Sequence, residues 1–206
     1  MTIVDKKYIV PPVYDPNYLE ALLDICQKEN IGAIISLNDL ELPILANAIN
    51  RFEKKGIRPI VSNKSVIDIC FDKWKTIEFA KQIGIETPKT YLKLKDALDA
   101  IVKKELSFPL VIKPRWGSAS IGIEFPENVE ELNFLYKFIK KKVINSMLGT
   151  ISKTDIDNSI IIQEKFEGQE YGLDIFNNFN AEVLTTIVKE KVSMRSGETD
   201  KAITRN

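Results

Sequence analysis

The 206-residue sequence predicts an α/β fold that passes into an α+β fold. Helical stretches and short apolar strands alternate through the first 70 residues, the grammar of a doubly wound sheet. Beyond them, strands follow one another directly, as a strand–loop–strand at 108–125 and as three strands in succession from Ser159. The 44% apolar and 28% charged fractions belong to a globular chain with a core, not to a disordered one.

The elements follow in order. Residues 16–29 open with proline and carry Leu19, Leu22, Leu23 and Cys26 at helical spacing. After Gly32 the run AIISL reads as a buried parallel strand. Asn38 and Asp39 can cap the next helix, LPILANAINRFEKK, which ends at Gly56. RPIVS at 58–62 is a second strand, and Asn63 starts another helix. Residues 72–83 form an amphipathic helix stopped by Gly84, and a short strand follows Pro88. Residues 95–105 are helical, 108–125 form a hairpin around a Gly/Ser loop, and 127–142 are a helix ending in KFIKKK. The polar stretch 145–158 reads as a mobile loop. SIIIQEKF, GQEYGLDIFNN and AEVLTTIVKEK are strands, and the residues from Val192 onward are a loop.

Composition closes off several functions. With 29 basic and 29 acidic side chains, the chain gives no reason to expect nucleic acid or an anionic membrane as partner. It contains no histidine, so it supplies no Ser–His or Cys–His couple, no HExxH site and no zinc finger. Acid–base work falls to carboxylates, lysine, tyrosine or substrate groups. Cys26 and Cys70 lack CxxC spacing and sit in apolar stretches, as buried thiols of a reducing, cytoplasmic compartment would. No apolar run reaches the ~18 residues of a membrane helix.

Three motifs carry chemistry. In FPLVIKPRWGSASIG (108–122), Lys113 ends a buried strand, and Gly117, Ser118, Ala119 and Ser120 let backbone N–H groups approach phosphate oxygens. The same residues also fit a solvated hairpin. The loop is neither a Walker A nor GxGxxG, and without histidine its partial GxSxG likeness leads nowhere. In IIIQEKFEGQEYGLDI, Glu164 and Glu170 flank Gly168 and suit ribose hydroxyls, while Phe166 offers backbone groups to a flat ring; both acids equally suit a sheet edge. Lys73 stands in the first turn of a helix behind Asp72, against the dipole preference, which makes sense beside a bound anion and also for a solvated lysine. Lys137 and Lys140–Lys142 read as a solvated face, and Trp74 and Trp116 as packing residues.

In this order (DK on a helix, TPKTY, FPLVIKP with its loop, IIQEKFEGQEYGLDIF) the motifs resemble the ATP-grasp superfamily. They look most like its carbamoyl-phosphate-synthase large-subunit-like branch, whose short members are stand-alone carboxylate–amine ligases. The stretch YIVPPVYDPNYLEALLDICQKENIGAIISLNDLELPIL is similar to that branch's pre-ATP-grasp domain.

The resemblance implies a partial Rossmann-like pre-ATP-grasp domain at 1–70, a linking helix at 71–87, a lid subdomain at 88–163, and a hinge with the start of the C-terminal subdomain at 164–206. It implies ATP as cofactor, with Lys73 and Lys113 on phosphates and the loop of Gly117, Ser118, Ala119 and Ser120 as lid. Gln163, Glu164, Lys165 and Phe166 would meet adenine, and Glu170 the ribose. The family activates a carboxylate as an acyl phosphate for attack by an amine, so both are expected as small-molecule substrates. Arg195, Glu198 and Lys201, in the expected last loop, are candidates for facing them, and equally suit a solvated loop. No residue is assigned a catalytic role. The family's Mg2+ ligands, a Glu and a Glu-x-Asn pair with an arginine beyond, have no counterpart after Glu170, so no metal ligand is assigned. The expectation is a chain truncated at both ends. The alternatives are a catalytically incompetent nucleotide-binding or assembly module, whose apolar edges a homodimer would cover, and an unrelated α/β ligand-binding domain.

Overall fold

A computed structural model describes residues 4–117, 122–195 and 198–205. They form two compact units: the described parts of Met1–Thr87, Arg115–Gly117 and Ser146–Thr154, and those of Pro88–Pro114, Ser118–Asn145 and Asp155–Asn206.

Unit one begins with helix α1 (Tyr18–Lys28), strand β1 (Ala33–Ile34), helix α2 (Leu42–Glu53) and strand β2 (Arg58–Pro59). The strands pair in parallel, Ala33 with Arg58 and Ile34 with Pro59, as the alternating pattern predicts. Leu23 and Cys26 of α1 meet Leu45, Ala48 and Phe52 of α2 and Ile57, with Ile34 packed alongside. Phe52 is wholly buried there. Pro43 sits in the first turn of α2, where its missing N–H costs nothing.

The expectation of a buried strand at AIISL is corrected. Both helices contribute to the same core, and Ile35 and Leu37 are left 70% and 99% exposed. Helix α3 (Lys64–Cys70) is capped by Asn63, whose Oδ1 accepts from Val66 N at 3.0 Å. Helix α4 (Lys73–Gln82) ends before Gly84, whose φ of +76° favours a residue without Cβ. It buries no side chain fully, so its amphipathic character is weaker than expected.

Unit two is built on a sheet of order β3–β5–β4, all antiparallel: β3 is Thr90–Tyr91, β4 Leu110–Pro114 and β5 Ile160–Glu164. Ile160, Ile161 and Ile162 are all fully buried, so both faces of β5 are covered and its sequence reads as a continuous apolar run. Helices α5 (Leu94–Val102) and α6 (Val129–Ile144) pack on this sheet. Asn128 caps α6 in a reciprocal arrangement: its Oδ1 accepts from Glu131 N, while Glu131 Oε2 accepts from Glu127 N, both at 2.9 Å. The expected hairpin at 108–125 is reduced. β4 is a full strand, but its return partner is a single bridge, Ile112 to Glu124, with a further bond from Leu110 N to Pro126 O.

Two loop expectations are also corrected. The stretch 145–158 contains helix α7 (Met147–Ile151), begun by Ser146 Oγ accepting from Leu148 N, and 3-10 turns at Ser152–Thr154 and Ile156–Asn158. Five residues are too few to show a period in sequence. The tail is sheet: β6 (Tyr171–Asn177), β7 (Val183–Arg195) and β8 (Glu198–Arg205) form an antiparallel sheet in that order. Backbone ladders and ion pairs such as Arg205–Glu190 hold β8, so its polar sequence carries no apolar alternation to read. Among the described residues no helix is long and apolar enough to cross a membrane.

Candidate functional site

In unit one the chemistry gathers at the start of α4. Asp72 Oδ1 accepts from Trp74 N at 3.0 Å and Lys75 N at 3.4 Å, closing the helix N-terminus. The same carboxylate takes a two-pronged bond from Arg115: Nε to Oδ1 and Nη2 to Oδ2, each 2.7 Å. Both side chains are over 90% buried, and the Arg115 guanidinium lies 4.5 Å from the Trp116 ring centroid.

This pair escaped the sequence reading. Its partners are 43 positions apart and no local pattern links them; only the N-cap role of Asp72 was legible. Lys73 follows. Its N–H donates to Arg115 O at 3.2 Å, and its Nζ donates to Gly117 O at 2.7 Å. The lysine expected to meet an anion therefore also ties down the first residue of the Gly/Ser loop. Gly117 has a φ of +94°, and a Cβ there would stand 2.7 Å from Leu148 Cδ2, so glycine is required.

In unit two Lys113 is half-buried on β4. Register pairs it with Ile161, and Val111 with Gln163, so Lys113 and Gln163 share one face of the sheet. Burial pushes the Lys113 ammonium below its ordinary 10.5, and no carboxylate accompanies it among the described residues. Gln163 is buried, and its Nε2 donates to Thr90 Oγ1 at 2.9 Å, so this side chain is committed within the sheet.

Glu164 ends β5: its N–H donates to Lys89 O at 2.9 Å and its Oε2 accepts from Lys89 N at 3.2 Å. Beyond it the chain leaves the ladder. Lys165 and Phe166 are exposed, and the Lys165 ammonium lies 5.6 Å from the Phe125 ring centroid. Glu170 is exposed and ion-paired with Lys191, on the strand partner of β6.

Ser118, Ala119 and Ser120 lie outside the described residues. Arg195 and Lys201 lie in β7 and β8, and Glu198 begins β8, so the expectation of a loop there is corrected. Arg195 approaches Asp200 at 3.9 Å. Cys26 is buried, and burial raises its thiol pKa; Cys70, the last residue of α3, is exposed, against expectation, and takes no part in the core that α1, α2 and Ile57 form. Lys140 pairs with Asp157 at 2.9 Å and Lys142 lies over Phe138 at 4.3 Å, so that lysine group is partly engaged.

Residues 106–203 match the family model described as the ATP-grasp domain, and residues 1–60 match that of the PylC-like N-terminal domain. The chain thus carries an ATP-grasp domain over residues 106–203, behind a PylC-like N-terminal segment. It is 26% identical over 135 residues to a carbamoyl-phosphate synthase of Methanobrevibacter smithii, covering 64% of this chain and 35% of that protein. It is 28% identical over 174 residues to a D-alanine–D-alanine ligase of Bacillus anthracis, covering 79% of this chain and 52% of the ligase. The chain thus spans about a third to a half of the length of these two relatives.

Among solved structures, the biotin carboxylase domain of the Hydrogenobacter thermophilus 2-oxoglutarate carboxylase, in complex with MgADP, ADP and bicarbonate, aligns with a TM-score of 0.71 at 20% identity, over 93% of this chain and 41% of that one. An L-amino acid ligase from Bacillus licheniformis aligns at 0.62 and 18% identity, over 96% of this chain and 42% of that one. At these identities the likeness is one of fold.

Proposed function

We propose that this chain is the ATP-binding part of a ligase that activates a carboxylate as an acyl phosphate for attack by an amine. Lys113 carries the reading. A lysine held in a half-buried strand position, with its ammonium destabilised and no carboxylate beside it among the described residues, is arranged for an anion that arrives from outside. Lys113 would neutralise phosphate charge in a partly dehydrated setting, where the interaction is stronger than in water. Lys73, which ties down Gly117, would do so while fixing the base of a loop of Gly117, Ser118, Ala119 and Ser120 over the β- and γ-phosphates.

Gln163 and Glu164 would position the hinge through their bonds to Thr90 and Lys89. Adenine would then meet the backbone of Lys165 and Phe166, and the ribose would meet Glu170. Arg195, Glu198 and Lys201 are assigned to the carboxylate and amine substrates. The bound nucleotide would supply the phosphoryl group that turns a carboxylate oxygen into a good leaving group. Magnesium is expected for the family, but among the described residues no three His, Cys, Asp or Glu side chains gather to hold a metal ion, so no ligand is assigned to it here.

Calorimetric titration with a non-hydrolysable ATP analogue tests the reading. Wild-type protein should release binding heat and Lys113→Ala much less; equal heats would remove Lys113 from the site. A second reading, a nucleotide-binding or assembly module without catalysis, is favoured by one observation. Tyr171, Leu173 and Ile175 share one face of β6 and are each more than half exposed. Self-association measured by light scattering, without ligase turnover, would support that reading.

A further inference from the structure

Helix α6, in unit two, presents two different faces. Leu132, Ile139 and Val143 are buried on one. The opposite face carries Phe134 and Phe138, about one turn apart and 66% and 39% exposed. Their rings stack at 5.8 Å between centroids and 12° between planes. The Lys142 ammonium lies 4.3 Å from the Phe138 centroid and closes the C-terminal end of this apolar ridge. Charge is divided along the same face. Glu130 and Glu131 stand in the first turn and Lys141 and Lys142 in the last, all four exposed. The Glu131 carboxylate is fixed by Glu127 N and Asn128 Nδ2, at 2.9 and 2.8 Å, and keeps lone pairs to spare. Among the described residues Glu130 and Lys141 belong to no ion pair.

A uniformly acidic or uniformly basic partner would meet like charge at one end of this ridge. The complement of an acid-to-base gradient is the same gradient reversed, which a second copy of the helix supplies when it runs antiparallel. We propose that two copies of the chain associate through α6 about a two-fold axis at the level of Tyr136. Phe134 of each copy then meets Phe138 of the other. At about 100° per residue, Glu130 and Lys141 flank one edge of the ridge, and Glu131 and Lys142 the other. The two-fold axis keeps each edge on its own side. Glu130 therefore lies within one residue, about 1.5 Å along the helix, of Lys141 of the second copy. Glu131 stands likewise to Lys142 of the second copy. Two helices of about 24 Å make an interface at the low end of specific ones, so the association is weak and concentration-dependent. The proposal depends on neither reading of the nucleotide site, and it uses a surface other than the β6 face.

Sedimentation velocity of the whole chain, from about 10 μM to about 1 mM, tests it. Wild type should pass from monomer to dimer across that range. Each ionic contact occurs twice in the dimer, so Glu130→Lys and Lys141→Glu each turn two attractions into two repulsions. Either variant should weaken association about tenfold. An equimolar mixture of the two variants should dimerise again, because each supplies the charge that the other needs. That recovery shows both variants to be folded and fixes the antiparallel register. Phe134→Asp should stay monomeric, and Leu173→Lys, on β6, should dimerise as wild type does. A wild type still monomeric at about 1 mM overturns the proposal and leaves the ridge to a different partner. Association as tight in Glu130→Lys and Lys141→Glu as in wild type overturns it too. So does a mixture that associates no better than its components. Loss of association in Leu173→Lys, with none in Phe134→Asp, overturns it in favour of a contact through the β6 face.

Discussion

Asp72→Asn isolates the buried ion pair from the helix cap. Asparagine caps a helix about as well as aspartate, so the N–H groups of Trp74 and Lys75 keep an acceptor. What is lost is the negative charge facing Arg115, whose side chain is 9% exposed against 5% for Asp72. Removing one partner of a buried pair takes that compensation from the other charge and costs about 3–5 kcal/mol, whereas a solvent-exposed pair is worth about 0–1 kcal/mol. Asp72→Ala removes the cap as well and should cost about 1 kcal/mol more.

The assay is urea unfolding followed by tryptophan fluorescence. Both tryptophans, Trp74 and Trp116, lie in unit one, so the signal reports that unit. With a slope of about 2 kcal/mol per molar, the Asn variant should unfold about 1.5–2.5 M earlier. Adding Arg115→Met to it should restore much of the loss, because an apolar side chain replaces a buried charge that has lost its carboxylate. A midpoint for Asp72→Asn within about 0.25 M of wild type would refute the reasoning, since it would mean that the pair behaves as an exposed one.

Other outcomes follow from the same structure. Gly117→Ala forces a side chain onto a φ of +94° and should destabilise unit one by about 1–3 kcal/mol in the same urea assay. Phe52→Ala empties the centre of the unit-one core and should cost about 3–5 kcal/mol. In thiol titration of the native protein, Cys70 should react promptly and Cys26 only on unfolding. Lys113 predicts a pH effect. Its folded pKa lies below 10.5, so the unfolded chain binds more protons between the two values and wild-type stability gains as pH rises through that window. Lys113→Met lacks this gain, so its stability advantage at neutral pH should shrink toward pH 10.5 in paired unfolding curves.

Much of the order of elements was legible because it rests on local signals. Asn63 and Asp72 cap the helices that follow them, and the run Ile160–Ile162 is the buried central strand its composition suggests. What was not legible depends on distant partners. β8 is polar and exists because β7 is long enough to pair with it. Cys70 and Leu37 are apolar in sequence yet exposed, since the unit-one core closes around α1, α2 and Ile57 without them. The candidate site divides in the same way. Lys73 and Lys113 stood out as charges at element ends. The partner of Asp72 and the bond of Gln163 to Thr90 arise only from tertiary placement.

The most direct test of ATP binding through Lys113 is the thermal midpoint of wild type and Lys113→Met, each with and without an ATP analogue. A half-buried cation awaiting an anion weakens the empty protein and strengthens the loaded one. Lys113→Met should therefore melt higher than wild type without nucleotide, and nucleotide should raise the wild-type midpoint while leaving that of the variant nearly unchanged. An equal nucleotide-induced rise in both proteins, or none in wild type, would contradict it.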